Sequence, residues 1–206
     1  MDLLVLAKEP VPGRVKTRLT PPCHPNEAAL IAEAALADTL SAAMASGADR
    51  VVVALDGAPG AWCPAGAVVV DQGSGDLASR LETAWRATDG PALQIGMDTP
   101  QVDGFALEAA LSRLDAGPDA VLGLAQDGGW WAVGLRRPRP GTFSGIPTSR
   151  PDTGARQLER LRDLGFRTDL LPPLRDVDTW ADAVAVAELA PGGAFARAVR
   201  AVAGAR

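Results

Sequence analysis

Residues 3–19 read LLVLAKEPVPGRVKTRL, an apolar run followed directly by a loop with two prolines, one glycine and four basic residues. A run of about five residues that is apolar throughout is typical of a strand buried on both faces of a sheet. Polar residues after such a strand lie at its carboxyl end, where open α/β sheets bind their ligands. The stretch therefore predicts a central strand over residues 3–7 and a ligand-binding loop after it.

The same order, a short apolar run and then a longer amphipathic stretch, recurs along the chain. Further strands are predicted at residues 50–55, 68–70, 92–96, 120–124 and 131–135. A long helix is predicted to begin with Asn26 as its cap and to end at Gly47, and shorter helices are predicted at residues 77–88, 103–114, 154–165, 179–189 and 193–203. This alternation predicts a single three-layer α/β domain over residues 1–206, with a mostly parallel central sheet.

The composition is that of an ordinary folded protein. Of the 206 residues, 47% are hydrophobic and 22% are charged, and no apolar run approaches the ~20 residues that span a membrane. The first residues lack the basic leader and long apolar stretch of a signal peptide. Cys23 and Cys63 lack the spacing of a metal finger, which favours two reduced thiols over a disulfide. We therefore expect a cytoplasmic protein with no membrane partner.

The charge balance excludes one class of function. A net charge of -5 argues against a nucleic-acid-binding protein, because affinity for nucleic acids comes mainly from Lys and Arg that neutralise phosphates. The distribution of charge is uneven, however, because both lysines of the chain, Lys8 and Lys16, lie in the first loop. This loop is therefore the first candidate for binding a small anion.

The first loop has the residues of a phosphate-binding site. Lys8, Arg14, Lys16 and Arg18 could compensate the charges of a polyphosphate, and Gly13 would let the backbone approach a ligand closely. The loop does not encode the Gly-Lys-Ser/Thr sequence of a P-loop. The alternative is a basic surface loop whose charges face water.

Two further segments carry carboxylates, and the first of them follows a predicted strand. Asp98 follows the strand at 92–96 and could hold a divalent cation, although it could equally be a turn residue or a helix cap. Asp176 and Asp178 project to the same side of an extended segment, which suits a shared cation. The alternative for the second segment is that Asp178 or Thr179 caps the following helix.

The segment QDGGWW, residues 126–131, combines a carboxylate, a tight turn and two aromatic rings. Asp127 beside Gly128 and Gly129 suits recognition of a substrate hydroxyl group, and an aromatic face suits stacking on a sugar or a base. We expect Trp130 to be exposed in the site and Trp131 to be buried. Trp131 would then be an ordinary core residue.

Together these segments resemble one family, the bacterial GT-A-like transferases known as domain of unknown function 2064, some of which are labelled as glycosyltransferases of arsenosugar-type gene clusters. Five family patterns are matched in order along the chain. AK-P-PG-VKTRL is matched at residues 7–8 and 12–19, and Q--GDLG-RL is approached at residues 72, 75–77 and 80–81. G-D-P is matched at residues 96, 98 and 100, DGG with aromatics at 127–131, and DVDT at 176–179. The resemblance therefore spans nearly the whole chain.

The resemblance implies the nucleotide-diphospho-sugar transferase fold. It also implies a more distant similarity to phospholactate guanylyltransferases and molybdenum-cofactor nucleotidyltransferases. By this resemblance Lys16 and Arg14 would contact phosphates, and Asp98 and Asp178 would hold Mg²⁺ or Mn²⁺. The chain departs from the family pattern at Ala78, where a glycine is usual.

Three functions are compatible with these features. The leading one is metal-dependent transfer of a glycosyl group from a nucleotide sugar to a small acceptor. Lys16, Arg14 and the metal held by Asp98 would stabilise the leaving diphosphate, and Asp127 would be the base. The alternative is a nucleotidyltransferase that couples a nucleoside triphosphate to a phosphorylated small molecule and releases pyrophosphate. The third is a nucleotide-binding module without catalytic activity.

Overall fold

The computed structural model describes residues 1–205, and seven strands run through them. The strands are β1 (Asp2–Lys8), β2 (Arg50–Asp56), β3 (Val68–Asp71), β4 (Ala92–Gly96), β5 (Ala120–Ala125), β6 (Trp130–Leu135) and β7 (Thr168–Leu174). They form one sheet in the order β3-β2-β1-β4-β6-β5-β7. Strand β6 runs antiparallel to its neighbours β4 and β5, and all other pairs are parallel. The predicted α/β class with a mostly parallel sheet is confirmed.

Six helices surround this sheet in the described residues: α1 (Pro25–Met44), α2 (Leu77–Trp85), α3 (Gly104–Asp115), α4 (Thr153–Asp163), α5 (Trp180–Leu189) and α6 (Ala194–Gly204). Helices α1 and α3 cover one face of the sheet, and α2 and α4 cover the other. Helix α6 packs against α1, α5 packs against α6, and the three helices enclose a third apolar cluster. None of the described helices combines the length and hydropathy that a membrane span requires.

The apolar run of β1 builds the two main cores at once. Leu3 and Val5 point into the cluster beneath α1 and α3, and Leu4 points into the opposite cluster beneath α2. All three side chains are fully buried, because successive residues of a strand project to opposite faces and both faces are covered by helices. Both helical layers therefore pack against β1. The loop after β1 lies at the carboxyl end of an interior strand of the sheet.

Two local predictions were wrong. Helix α1 does not use Asn26 as its cap, because Pro25 already occupies its first position, where a fixed φ is favourable. Its preceding residue is His24, whose backbone N–H donates to the Glu27 carboxylate at 2.7 Å. Strand β7 was not predicted at all, because it contains two adjacent prolines and lacks a continuous apolar run. Proline is tolerated there because β7 is an edge strand.

Candidate active site

Two adjoining cavities open at the carboxyl ends of β1 and β4. The larger has a volume of about 690 Å³ and the smaller about 380 Å³. The larger contains the predicted carboxylates Asp98, Asp127, Asp176 and Asp178, and the smaller contains the basic residues Lys8, Arg14, Lys16, Arg18 and Arg80. Arg18, Asp98 and Asp178 line both cavities. The structure thus brings the basic loop and the acidic segments together at one edge of the sheet.

Lys16 lies at the centre of this arrangement. Its side chain is only 7% exposed, and its Nζ is 2.6 Å from Oδ1 of Asp98. The same Nζ donates to the backbone carbonyl of Val177. Lys16 also has a φ of 48°, in the left-handed region that residues other than glycine rarely adopt. The hydrogen bonds to these two partners fix the ammonium group, and they help to stabilise the unfavourable backbone conformation of Lys16.

A second ion pair joins the same two regions. Arg18 Nη1 is 2.7 Å from Oδ2 of Asp178, and the two side chains are 63% and 34% exposed. The residues that follow Arg18 and precede Asp178, Leu19 and Val177, are fully buried in the third apolar cluster. Burial of these two neighbours positions both charged residues at the same point of the surface.

Asp176, which the sequence analysis considered with Asp178 for a shared cation, lies in the larger cavity. One of its carboxylate oxygens is buried and has no hydrogen-bond partner among the described residues. Burial, together with the nearby carboxylates of Asp98 and Asp127, raises the pKa of Asp176 to about 7, although Lys16 acts in the opposite direction. The spacing of Asp176 and Asp178 predicted a shared cation site, whereas the family resemblance implies Asp98 and Asp178 as the metal ligands.

The residues present fit a hard divalent cation. No group of three or more His, Cys, Asp or Glu side chains within residues 1–205 already has the geometry of a metal site. Two of the candidate ligands, Asp98 and Asp178, are paired with Lys16 and Arg18. The unpartnered oxygen of Asp176 and the all-carboxylate donor set nevertheless suit Mg²⁺ or Mn²⁺, which prefer oxygen ligands.

The remaining residues of the basic loop occupy different positions. Lys8 is 3.4 Å from the Asp56 carboxylate and lines the smaller cavity. Arg14 is exposed and lines the same cavity. Gly13 has a φ of 76° and forms part of the turn, but it lies outside the lining of both cavities. Four of the five predicted phosphate ligands therefore face one compartment.

Arg80 is a basic residue of the site that the sequence analysis did not predict. It lines both cavities, and its Nη1 donates to Oε1 of Gln72 at 2.9 Å. Gln72 is 2% exposed and donates from Nε2 to the carbonyls of Ala7 and Ala54. The buried Nε of Arg80 has no partner among the described residues. The family pattern Q--GDLG-RL contains both Gln72 and Arg80, and this pattern could have indicated that Arg80 belongs to the site.

The Asp127 turn is rigid and packs against the start of α4. Oδ1 of Asp127 accepts from the backbone N–H of Gly129 at 2.7 Å. Gly128 has a φ of 93°, and a Cβ there would lie 2.0 Å from the carbonyl oxygen of Pro151. Gly128 is not part of either cavity lining, whereas Asp127 and Gly129 line the larger one. Gly128 therefore shapes the turn through its backbone.

The two tryptophans after this turn differ in burial. Trp131 is 5% exposed, as expected, and its Nε1 donates to the carbonyl of Pro172 at 3.0 Å. Trp130 was expected to be exposed, but it is half-buried because its ring packs near Phe143, with centroids 6.4 Å apart. Trp130 and Phe143 both line the larger cavity, which gives that cavity an aromatic wall.

The structure also decides between the alternatives for the acidic residues. Asp98 does not cap helix α3, because Oδ1 of Asp103 accepts from the Ala106 N–H at that position. Asp178 does not cap α5, because Thr179 does so together with Asp182. The helix-cap interpretation is therefore wrong for Asp98 and Asp178 and confirmed for Thr179.

Residues 30–150 match the family described as "Uncharacterized protein conserved in bacteria (DUF2064)". The chain belongs to the DUF2064 family. The matched residues of this DUF2064 protein contain Asp98 and the Asp127 turn, whereas the basic loop and the segment from Asp176 to Asp178 lie outside them. No functionally curated protein matches the chain by sequence.

Several solved structures are similar to this DUF2064 protein. A candidate nucleotide-diphospho-sugar transferase of Desulfovibrio desulfuricans G20 is 23% identical over 97% of this chain and 94% of its own, with a TM-score of 0.84. A nucleotidyl transferase of Methanothermobacter thermautotroptrophicus is 15% identical over 96% and 98%, with a TM-score of 0.61. A manganese complex of Rv0371c from Mycobacterium tuberculosis H37Rv is 19% identical over 91% and 98%, with a TM-score of 0.54. These likenesses confirm the expected nucleotide-diphospho-sugar transferase fold.

Proposed function

We propose that this DUF2064 protein, acting as one domain, is a metal-dependent transferase that binds a nucleotide sugar and passes its glycosyl group to a small acceptor. The observation that carries the proposal is the junction of a basic and an acidic cavity, at which Lys16 and Arg18 meet Asp98 and Asp178. Such a junction suits a substrate that combines phosphates with a second group. The fold shared with a candidate nucleotide-diphospho-sugar transferase supports the same class of substrate.

The basic cavity would bind the diphosphate. Lys8, Arg14, Lys16 and Arg18 would donate charge-assisted hydrogen bonds to its oxygens, and Arg80 completes the lining. Charge develops on the diphosphate as the glycosyl bond breaks. Fixed cations therefore stabilise the transition state more than the ground state, and Lys16, which is held by Asp98 and Val177, is the best fixed of them.

The carboxylates at the junction would hold the metal. Asp98 and Asp178 would ligate Mg²⁺ or Mn²⁺, with the unpartnered oxygen of Asp176 beside them. When bound, the cation would supply neutralising charge to the phosphate oxygens of the leaving group. The manganese complex of a protein with this fold supports the choice of cation.

The larger cavity would hold the acceptor. Asp127 would accept the proton of the attacking hydroxyl group, and the bond from Gly129 to its Oδ1 orients its carboxylate. Trp130 and Phe143 would pack against an apolar face of the acceptor. In this arrangement the acceptor hydroxyl approaches from the acidic cavity and the diphosphate leaves into the basic one.

A second candidate function is nucleotidyl transfer, and one observation favours it. Five basic residues line the smaller cavity with the carboxylates of Asp98 and Asp178, so once a cation occupies these carboxylates the basic residues would also neutralise a triphosphate. In that reaction a phosphorylated small molecule would attack the triphosphate and pyrophosphate would leave. The fold of the Methanothermobacter nucleotidyl transferase is compatible with it.

The deciding experiment is product analysis by ³¹P NMR. The protein is incubated with nucleotide sugars or nucleoside triphosphates, each with and without Mn²⁺ and a mixture of small hydroxylated or phosphorylated acceptors. Release of nucleoside diphosphate or monophosphate from a nucleotide sugar, lost in Asp98→Asn, is the expected result. Pyrophosphate release from a triphosphate would instead establish the second function, and nucleotide binding without turnover would indicate a non-catalytic module.

A further inference from the structure

Each of the two ion pairs at the cavity junction joins a proposed phosphate ligand to a proposed metal ligand. Lys16 pairs with Asp98 at 2.6 Å, and Arg18 pairs with Asp178 at 2.7 Å. The groups that would bind the anion therefore neutralise the groups that would bind the cation. A cation or a phosphate that takes the place of one of these partners must separate that pair.

The two pairs differ in how freely they can separate. The Lys16 side chain is 7% exposed and has the Val177 carbonyl as a second partner, so it is fixed at two points. The Arg18 side chain is 63% exposed, and Asp178 is the only partner that its guanidinium has among the described residues. Arg18 can therefore leave Asp178 by side-chain rotation alone, whereas Lys16 is held in place.

We propose that Arg18 is an exchangeable counter-ion of Asp178, and that the site consequently takes a divalent cation and a polyphosphate together and binds each of them weakly alone. The inference rests on the proposed function. A cation alone would displace Arg18 and leave the guanidinium unpaired beside another positive charge. A polyphosphate alone would attract Arg18 and leave the Asp178 carboxylate unpaired beside an anion. When both bind, Asp178 exchanges Arg18 for the cation, and Arg18 exchanges Asp178 for the phosphates.

The position of the pair agrees with this exchange. Arg18 and Asp178 both line the larger and the smaller cavity, so their side chains stand where the two compartments join. Arg14 provides a matched comparison, because it lines the same smaller cavity, is exposed, and has no ion pair with a carboxylate in residues 1–205. Loss of Arg14 removes the same charge as loss of Arg18 without freeing Asp178.

The test measures the binding of each ligand alone by isothermal titration calorimetry. Arg18→Gln frees Asp178, so the affinity for Mn²⁺ alone should rise about twofold to fivefold, the range expected for an exposed ion pair, while Arg14→Gln should change it less. Asp178→Asn frees Arg18, so the affinity for inorganic pyrophosphate in the presence of chelator should rise by a similar factor. Asp127→Asn, which removes an acidic residue of the larger cavity, is the control for that arm and should change the affinity less.

Equal effects of Arg18→Gln and Arg14→Gln, or weaker pyrophosphate binding in Asp178→Asn, would overturn the inference. The two arms use different variants, so a folding defect in one leaves the other decisive, and circular dichroism identifies such a defect. Failure of the proposed function has a different result. In that case the parent protein would bind neither nucleotides nor the complex of Mn²⁺ with pyrophosphate.

Discussion

The backbone N–H of Val177 donates to the carbonyl oxygen of Asp98 at 2.8 Å, and the Val177 carbonyl accepts from Lys16 on its other side. A single buried residue thus holds the basic loop, the end of β4 and the acidic segment in one arrangement. Its side chain is fully buried in the third apolar cluster. The charged groups of the candidate site are therefore positioned by backbone hydrogen bonds and apolar packing as well as by their mutual attraction.

Replacing Lys16 tests the phosphate site. Lys16→Met should weaken nucleotide binding by about 1.5 to 3 kcal/mol, the usual contribution of a hydrogen bond to a charged group. It should also lower the free energy of unfolding, because Asp98 and the Val177 carbonyl lose a buried partner. Calorimetry and urea unfolding measure the two effects. Lys8→Met, which removes a more exposed lysine from the same loop, should change stability by at most about 1 kcal/mol.

Asparagine substitutions test whether Asp98 and Asp178 act as one metal site. Either Asp98→Asn or Asp178→Asn should remove most of the Mn²⁺-dependent part of nucleotide affinity, because each leaves the cation with fewer charged ligands. The double variant should then lose little more, since ligands of one ion are not independent. Nucleotide titrations with and without Mn²⁺ measure this. Simple addition of the two losses would show that the residues act separately.

Asp176 predicts a specific dependence of stability on pH. Its pKa is about 7 in the folded protein and near 3.8 in the unfolded chain. Between these values the folded state binds more protons, so the contribution of Asp176 to stability falls as the pH rises from about 4 to 7. Asp176→Asn removes the penalty. In chelator, the variant should be more stable than the parent at pH 8, by up to roughly 4 kcal/mol, and nearly equal to it at pH 4.

Urea unfolding at both pH values measures this difference. A constant difference between parent and variant across the range would show that the carboxyl group of Asp176 does not titrate there.

Gly96 allows the larger cavity to be filled without removing a polar group. A Cβ at Gly96 would have its nearest neighbour, the backbone nitrogen of Asp98, at 3.9 Å, and Gly96 lines the cavity. Gly96→Val should therefore fold normally and place its methyl groups in the cavity. We expect acceptor-stimulated turnover to fall at least about tenfold, or ~1.4 kcal/mol, with the thermal midpoint nearly unchanged. Gly192→Ala, in an open loop, is the neutral comparison.

The sheet could be predicted because its central strands are continuous apolar runs. Leu3, Leu4 and Val5 are buried in two different cores, and such a run has few alternatives to a central strand. Strand β7 could not be predicted, because Pro172 and Pro173 remove two donors and only its place at the sheet edge makes that acceptable. The antiparallel direction of β6 is set by the short turn after β5, which the alternation pattern does not describe.

The charged residues of the site could be predicted individually but not as pairs. Lys16, Arg18, Asp98 and Asp178 follow strands or precede a helix, so the sequence indicates that they share one edge of the sheet. Which cation meets which carboxylate depends on the third cluster of α1, α5 and α6, where Leu19 and Val177 are buried. That packing joins distant parts of the chain, and no local pattern records it.

The bond between Lys16 and Val177 connects residues 161 positions apart, and the pair of Arg18 with Asp178 spans 160. A ribosome therefore releases the basic loop long before the residues that complete the site. Until this later part of the chain has been synthesised and has packed, Arg18 lacks the Asp178 carboxylate and Lys16 lacks the Val177 carbonyl. Packing of α5 and α6 thus acts as a timing step, because the ion pairs of the candidate site are completed only after these helices have been synthesised.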